Sequence, residues 1–137
     1  MEGELNRGQA QNFNLLAVDA FSGDAIPVHL LTEEAFQIYL KHLKSDGIIA
    51  VHITNAHFDL LPVLKRVAER FELRYALLHT DGDRIATTYS DWVLLSRDPS
   101  IVNSLPASAG GMFKPAIKPD LALWTDDYSN LFFTLRR

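Results

Sequence analysis

Two short apolar runs, Leu15-Leu16-Ala17-Val18 and Ile48-Ile49-Ala50-Val51-His52-Ile53, bracket a stretch whose apolar residues recur at helical spacing. That order restricts the fold more than any other feature of the chain. Thr32 suits a helix N-cap, with Glu33 and Glu34 in the first turn, where the helix dipole favours acids. Phe36, Tyr39, Leu40 and Leu43 line one helical face, and Gly47 falls where a left-handed residue would end the helix. The run from Ile48 is rich in β-branched residues and apolar at odd and even positions alike, the pattern of a strand covered on both faces. Strand, helix and strand together predict a parallel pair joined by a right-handed crossover.

The unit then repeats. Asp59 precedes Leu60, Leu61, Leu64, Val67, Ala68 and Phe71 at helical spacing, and Pro62 is tolerated in the opening turn, where an amide would lack a partner anyway. Leu73 to Leu78 reads as a third strand, and Trp92 to Ser96 as a fourth that pairs antiparallel with it across the polar stretch Thr80 to Arg84. Asp98-Pro99 suits a cap and first helical residue, which predicts a short helix over 101–105, and the Pro-, Gly-, Ala- and Ser-rich residues 106–120 read as a loop. The expectation is an α/β fold, a single domain over 1–137 with about four strands, mostly parallel and with an antiparallel last strand.

With 137 residues and 47% hydrophobic content, the chain is long enough for one core. It has no cysteine, which removes disulfides, thiolate metal sites and a cysteine nucleophile together. A net charge of -4 gives no electrostatic ground for nucleic acid as a partner, and Arg136-Arg137 reads as a solvated tail. The apolar runs are strand-length and the first eight residues are polar, so neither a membrane span nor a secretory leader is expected, and a cytoplasmic location is. His29, His42, His52, His57 and His79 never fall at a metal-binding helix spacing, and Ser22 is not in a nucleophile elbow, so neither a metal site nor a serine hydrolase is expected. Met112, Phe132 and Phe133 read as core or interface.

The first apolar run ends in Asp19-Ala20-Phe21-Ser22-Gly23-Asp24-Ala25-Ile26-Pro27. A strand that delivers two carboxylates to its C-terminal mouth places them where open α/β sheets bind ligands. The alternative is a strand followed by a turn, with Asp19 and Asp24 as turn and cap residues.

The succession of Val18-Asp19-Ala20-Phe21-Ser22-Gly23-Asp24-Ala25-Ile26-Pro27-Val28-His29-Leu30-Leu31-Thr32, a helix, and Gly47-Ile48-Ile49-Ala50-Val51-His52-Ile53-Thr54-Asn55 resembles the C-terminal half of the spermidine synthase-like family. The resemblance is to the bacterial branch whose members are often fused to transporter-type membrane helices. Residues 14–60 carry it most clearly, and Trp92-Val93-Leu94-Leu95 with Trp124-Thr125-Asp126-Asp127-Tyr128-Ser129-Asn130 extend it. It implies a methyltransferase-type Rossmann sheet whose first half, with the adenosyl-binding glycine loop, this chain does not encode. In the family's aminopropyltransferases an Asp at this strand end takes a proton from the attacking amine, and Asp19 holds that place. Those enzymes continue Asp-Ser-Ser-Asp-Pro. Here the second acid, Asp24, stands two positions further on, which leaves its role and that of Ser22 as auxiliary substrate contacts.

By the same resemblance His52 replaces a glutamine at the next strand end, and Tyr89 lies near a substrate-lining tyrosine before the last strand. Asn55 and Asp59 share the rim, where Asp59 reads first as a helix cap and only second as a site residue. Asp126 and Asp127 beside Tyr128 suit a polycationic amine through charge and cation-π contact, and suit a helix N-terminus equally. The implied donor is S-adenosylmethionine or its decarboxylated form, the implied acceptor an amine such as a polyamine, and the reaction aminopropyl or methyl transfer. The competing expectation is a truncated, non-catalytic α/β protein that acts by association. A sheet without its first half exposes the edge beside Val18, so a homodimer or higher oligomer through that edge or its adjacent faces is expected.

Overall fold

A computed structural model describes residues 8, 10–19, 28–54, 58–80, 90–100, 123–127 and 129. Strand β1 (Phe13–Asp19) leads to a 3-10 turn (Val28–Leu30), helix α1 (Glu33–His42), strand β2 (Leu43–His52), helix α2 (Leu61–Phe71) and strands β3 (Arg74–Thr80) and β4 (Ser90–Ser96). The fold is α/β with a four-stranded mixed sheet in the order β1-β2-β4-β3. β1 and β2 are parallel, while β4 is antiparallel to both its neighbours, so β1, β2 and β3 point one way and the last strand runs against them. β4 thus pairs with β3 as the sequence predicts, and it also separates β3 from β2.

Alternation within the strands decides which face is dry. Val18, Ile49, Val51, Val93 and Leu95 share one face and join Phe36 and Leu40 of α1 and Leu64 and Val67 of α2 in a single apolar cluster. On the opposite face of β1, Leu15 is 58% exposed. Among the described residues β1 is therefore an edge strand covered on one face, unlike β2.

Thr32 caps α1 as expected, its hydroxyl accepting the Ala35 amide at 3.3 Å. The expected left-handed stop at Gly47 is corrected: α1 ends at His42 with an extended Leu43, and Gly47 lies inside β2 without a positive φ. Its missing side chain serves space. A Cβ there would stand 2.5 Å from Leu43 Cγ and 2.9 Å from the Phe13 carbonyl oxygen. The β1–β2 pairing slips at this point, from Phe13 opposite Leu43 to Leu15 opposite Ile48, and is regular from Ile48 to His52. The N-cap of α2 is Leu60 and not Asp59, whose carboxylate instead accepts the Leu61 amide at 3.2 Å. Glu72 ends α2 in the left-handed conformation with φ 55°, a position that composition does not flag because the residue is not glycine. Asp98 accepts the Ser100 hydroxyl and amide, and both bonds hold its carboxyl below the usual range. The helix expected over 101–105, the loop over 106–120, and Met112, Phe132 and Phe133 lie outside the described residues.

Tyr39 ties α1 to the turn before it by donating its hydroxyl to the Leu30 carbonyl at 3.1 Å, and burial pushes its pKa up to about 12. The unfolded chain ionises this phenol near pH 10 and the folded chain does not, so the folded state holds the extra proton between the two values. Stability is therefore expected to fall as pH rises from about 10 to about 12. Alkaline titration of chemical unfolding checks this. Tyr39→Phe should remove that component of the slope, while the lost hydrogen bond lowers stability at neutral pH by about 1 kcal/mol.

Candidate functional site

The regular part of the sheet brings one residue from each strand into a single row near its C-terminal rim. Asp19 pairs in register with His52, His52 with Trp92, and Trp92 with Leu78. Cross-strand partners project on the same face, so the carboxylate, imidazole and indole stand side by side. Asp19 and His52 end their strands, where the chain leaves the ladder and loops can reach the rim.

An ionised carboxylate only accepts, so the 3.1 Å contact is His52 Nδ1–H donating to Asp19 Oδ1. The Trp92 ring lies against the imidazole, with centroids 4.7 Å apart and planes 31° from parallel. The indole is itself held by Nε1–H donating to Ser90 Oγ at 2.9 Å. Asp19 remains 66% exposed at its side chain, whereas His52 is 25% exposed. A contact this open adds little to stability, about 0–1 kcal/mol.

A second histidine–carboxylate pair sits on the same rim. His79 Nδ1 and Asp91 Oδ1 are joined between β3 and β4, one residue out of step with Trp92 and so on the opposite face. Asp91 is fixed through its backbone: its amide donates to Thr54 Oγ1 at 2.7 Å and its carbonyl accepts the Ile53 amide at 2.9 Å. Sequence reasoning considered His79 only as a metal ligand and passed over Asp91. The signal that would have found the pair is the hairpin register between the two expected strands.

The C-terminal acids take a different place. Trp124 is fully buried, and its carbonyl accepts the Glu33 amide at 2.8 Å. Thr32 Oγ1 donates to Asp126 Oδ1 at 2.6 Å, while the Asp126 amide donates to Glu34 Oε2 at 2.9 Å. These bonds clamp residues 124–126 onto the N-terminus of α1, where a carboxylate is favoured. Asp127 is exposed. Because α1 carries the chain back from the end of β1 to the start of a parallel strand, this clamp lies at the Asp19 end of the sheet. Of the sequence-predicted site residues, Asp19 and His52 are in contact, and Asp126 is bound to the helix start. Ser22, Asp24, Asn55 and Tyr89 lie outside the described residues.

Among the described residues no group of three or more His, Asp or Glu side chains could hold a metal ion. Of the glycines of the described residues, Gly8 stands at a turn with φ 71° and borders open space, and Gly47 is walled in by Leu43 and Phe13. No helix of the described residues is long and apolar enough to cross a membrane. No protein-family model matches the chain, and no curated protein matches it.

Proposed function

We propose that the rim formed by Asp19, His52 and Trp92 is the amine side of a spermidine synthase-like transferase site. The observation that carries the proposal is the Asp19–His52 contact, with Trp92 against the imidazole at the C-terminal end of two parallel strands. The antiparallel last strand in an otherwise co-directional sheet supports the methyltransferase-type Rossmann identity that the sequence resemblance implies.

A primary amine is a cation at neutral pH and carries no lone pair with which to attack. An open carboxylate attracts the cation, and accepting one of its protons frees the nitrogen lone pair for aminopropyl or methyl transfer. Asp19 takes that role. His52 fixes the carboxylate by its Nδ1–H, so the acceptor oxygen is oriented before the amine arrives. The indole of Trp92, packed against the imidazole, holds in place the ring that orients the carboxylate. The proposal assigns this chain's acceptor side alone.

Calorimetric titration with spermidine tests the assignment. Saturable binding is expected, and Asp19→Asn should weaken it at least tenfold, about 1.4 kcal/mol. The same substitution should shift the unfolding midpoint little, because the exposed pair contributes so little to stability. Absence of binding at millimolar spermidine, or equal binding by the two proteins, would overturn the assignment.

A further inference from the structure

We infer that His52 makes the affinity of this rim for an alkylammonium depend on pH, orienting the Asp19 carboxylate when neutral and competing with the ligand for it when protonated. The inference rests on the reading of the rim as an amine site. His52 Nδ1 lies 3.1 Å from Asp19 Oδ1, in register across β1 and β2. That bond serves both charge states of the ring, because Nδ1–H donates in each and the second proton enters at Nε2. The geometry therefore stays constant while the charge changes. With His52 neutral the pair carries one negative charge, which an arriving cation feels in full. With His52 protonated the pair carries none, and the imidazolium stands where it repels the ammonium.

The surroundings single out His52 for this part. Its neighbours along the row are Asp19 of β1 and Trp92 of β4, with Leu78 of β3 beyond, so among the described residues Asp19 is the other titratable group of the row. The Trp92 ring, 4.7 Å from the imidazole between centroids, carries no charge in either state. His52 keeps 25% of its side chain exposed, so protons exchange with it freely. His79 and Asp91 form their own pair on the opposite face of the sheet. At the start of α1, Asp126 is held by the Thr32 hydroxyl and Glu34 by the Asp126 amide, with His29 in the turn before them. Histidine is the side chain that changes charge between about pH 5 and 8, which leaves His29 and His79 as the rivals a test must separate. An alkylammonium, like a lysine side chain, keeps its proton through that window, so a change in affinity belongs to the protein.

Calorimetry with spermidine at about pH 7.5 and about pH 5.5 makes the test. For the native chain at low ionic strength the dissociation constant should be at least threefold higher at the lower pH, and added salt should shrink the difference. In His52→Gln, whose amide can still donate to Asp19, the ratio of the two constants should fall to about one, whereas His29→Gln and His79→Gln should keep the native ratio. The native chain alone gives a second readout. At about pH 6 spermidine should expel protons as it binds, seen as an enthalpy that varies with the ionisation heat of the buffer. No binding at either pH would overturn the amine reading of the rim and this inference with it. Binding of equal strength at both pH values, a native ratio in His52→Gln, or binding without proton release would overturn the inference and leave the amine reading standing.

Discussion

Trp124→Ala will destabilise the fold by about 3–5 kcal/mol and lower the thermal midpoint by about 10–20 °C. Trp124 lies far along the chain from the sheet, yet its side chain is fully buried in the cluster that joins both helices to the sheet. Its loss removes the transfer free energy of a large ring and leaves a cavity that fixed strands on one side cannot fill. Typical domains are stable by only about 5–15 kcal/mol, so the effect takes a large share of the total. The indole Nε1 makes no hydrogen bond within the described residues, and a buried donor in that condition carries a penalty of its own. Trp124→Phe, which discards the donor and keeps most of the apolar volume, should therefore cost much less than Trp124→Ala. Asp127→Ala, at an exposed neighbour, should stay within about 0.5 kcal/mol. Thermal denaturation of the three variants checks the ranking, and a midpoint change of a few degrees or less for Trp124→Ala would show that residues 123–127 do not pack on α1.

Gly47→Ala will cost about 1–3 kcal/mol although it adds a single methyl group. The backbone φ is not positive, so alanine is conformationally permitted and the effect is one of space. The new Cβ would lie 2.5 and 2.8 Å from two carbons of Leu43 and 2.9 Å from the Phe13 carbonyl oxygen. The buried Leu43 side chain could be pushed aside at some cost, but the carbonyl belongs to β1 and moves only with the strand. Gly47 is also held from the other side, since Ser96 Oγ donates to its carbonyl at 2.9 Å. In the double variant Leu43→Ala, Gly47→Ala the first clash disappears and the second remains. Chemical denaturation should therefore show a Gly47→Ala penalty smaller in the Leu43→Ala background than in the native one, but not zero. Equal penalties in both backgrounds would assign the strain to the backbone contact alone.

The elements of the fold were legible because each is written locally. The hydroxyl of Thr32, the acids after it and the spacing of Phe36, Tyr39 and Leu40 specify α1 without reference to any other part of the chain. Gly47 misled because a glycine just past a helical pattern has two uses, a left-handed cap or a close approach, and only the position of Phe13 across the sheet distinguishes them. Insertion of β4 between β2 and β3 was not legible either: two adjacent strands predict their own pairing, whereas the second partner of β4 depends on tertiary packing. At the rim, Asp19 and His52 were each singled out as strand-end residues, but their contact depends on a register that slips at Gly47 before becoming regular. The His79–Asp91 pair was missed because it follows from the cross-strand register of β3 and β4 and not from the neighbours of either residue along the chain. For Asp126 the sequence left two uses open, and the structure places its carboxylate on the Thr32 hydroxyl at the start of α1.

Nuclear magnetic resonance of the histidine side chains during titration with spermidine tests the central claim most directly. The His52 imidazole resonances should move saturably, because the ligand joins the carboxylate that His52 holds. Those of His42, buried and accepting the Gln11 amide at 3.1 Å, should stay in place. In Asp19→Asn the spermidine concentration that gives half of the His52 response should rise at least tenfold. A His52 signal that stays still while spermidine reaches millimolar concentration, or one that moves equally in the native and Asp19→Asn proteins, would contradict the assignment of this rim as an amine site.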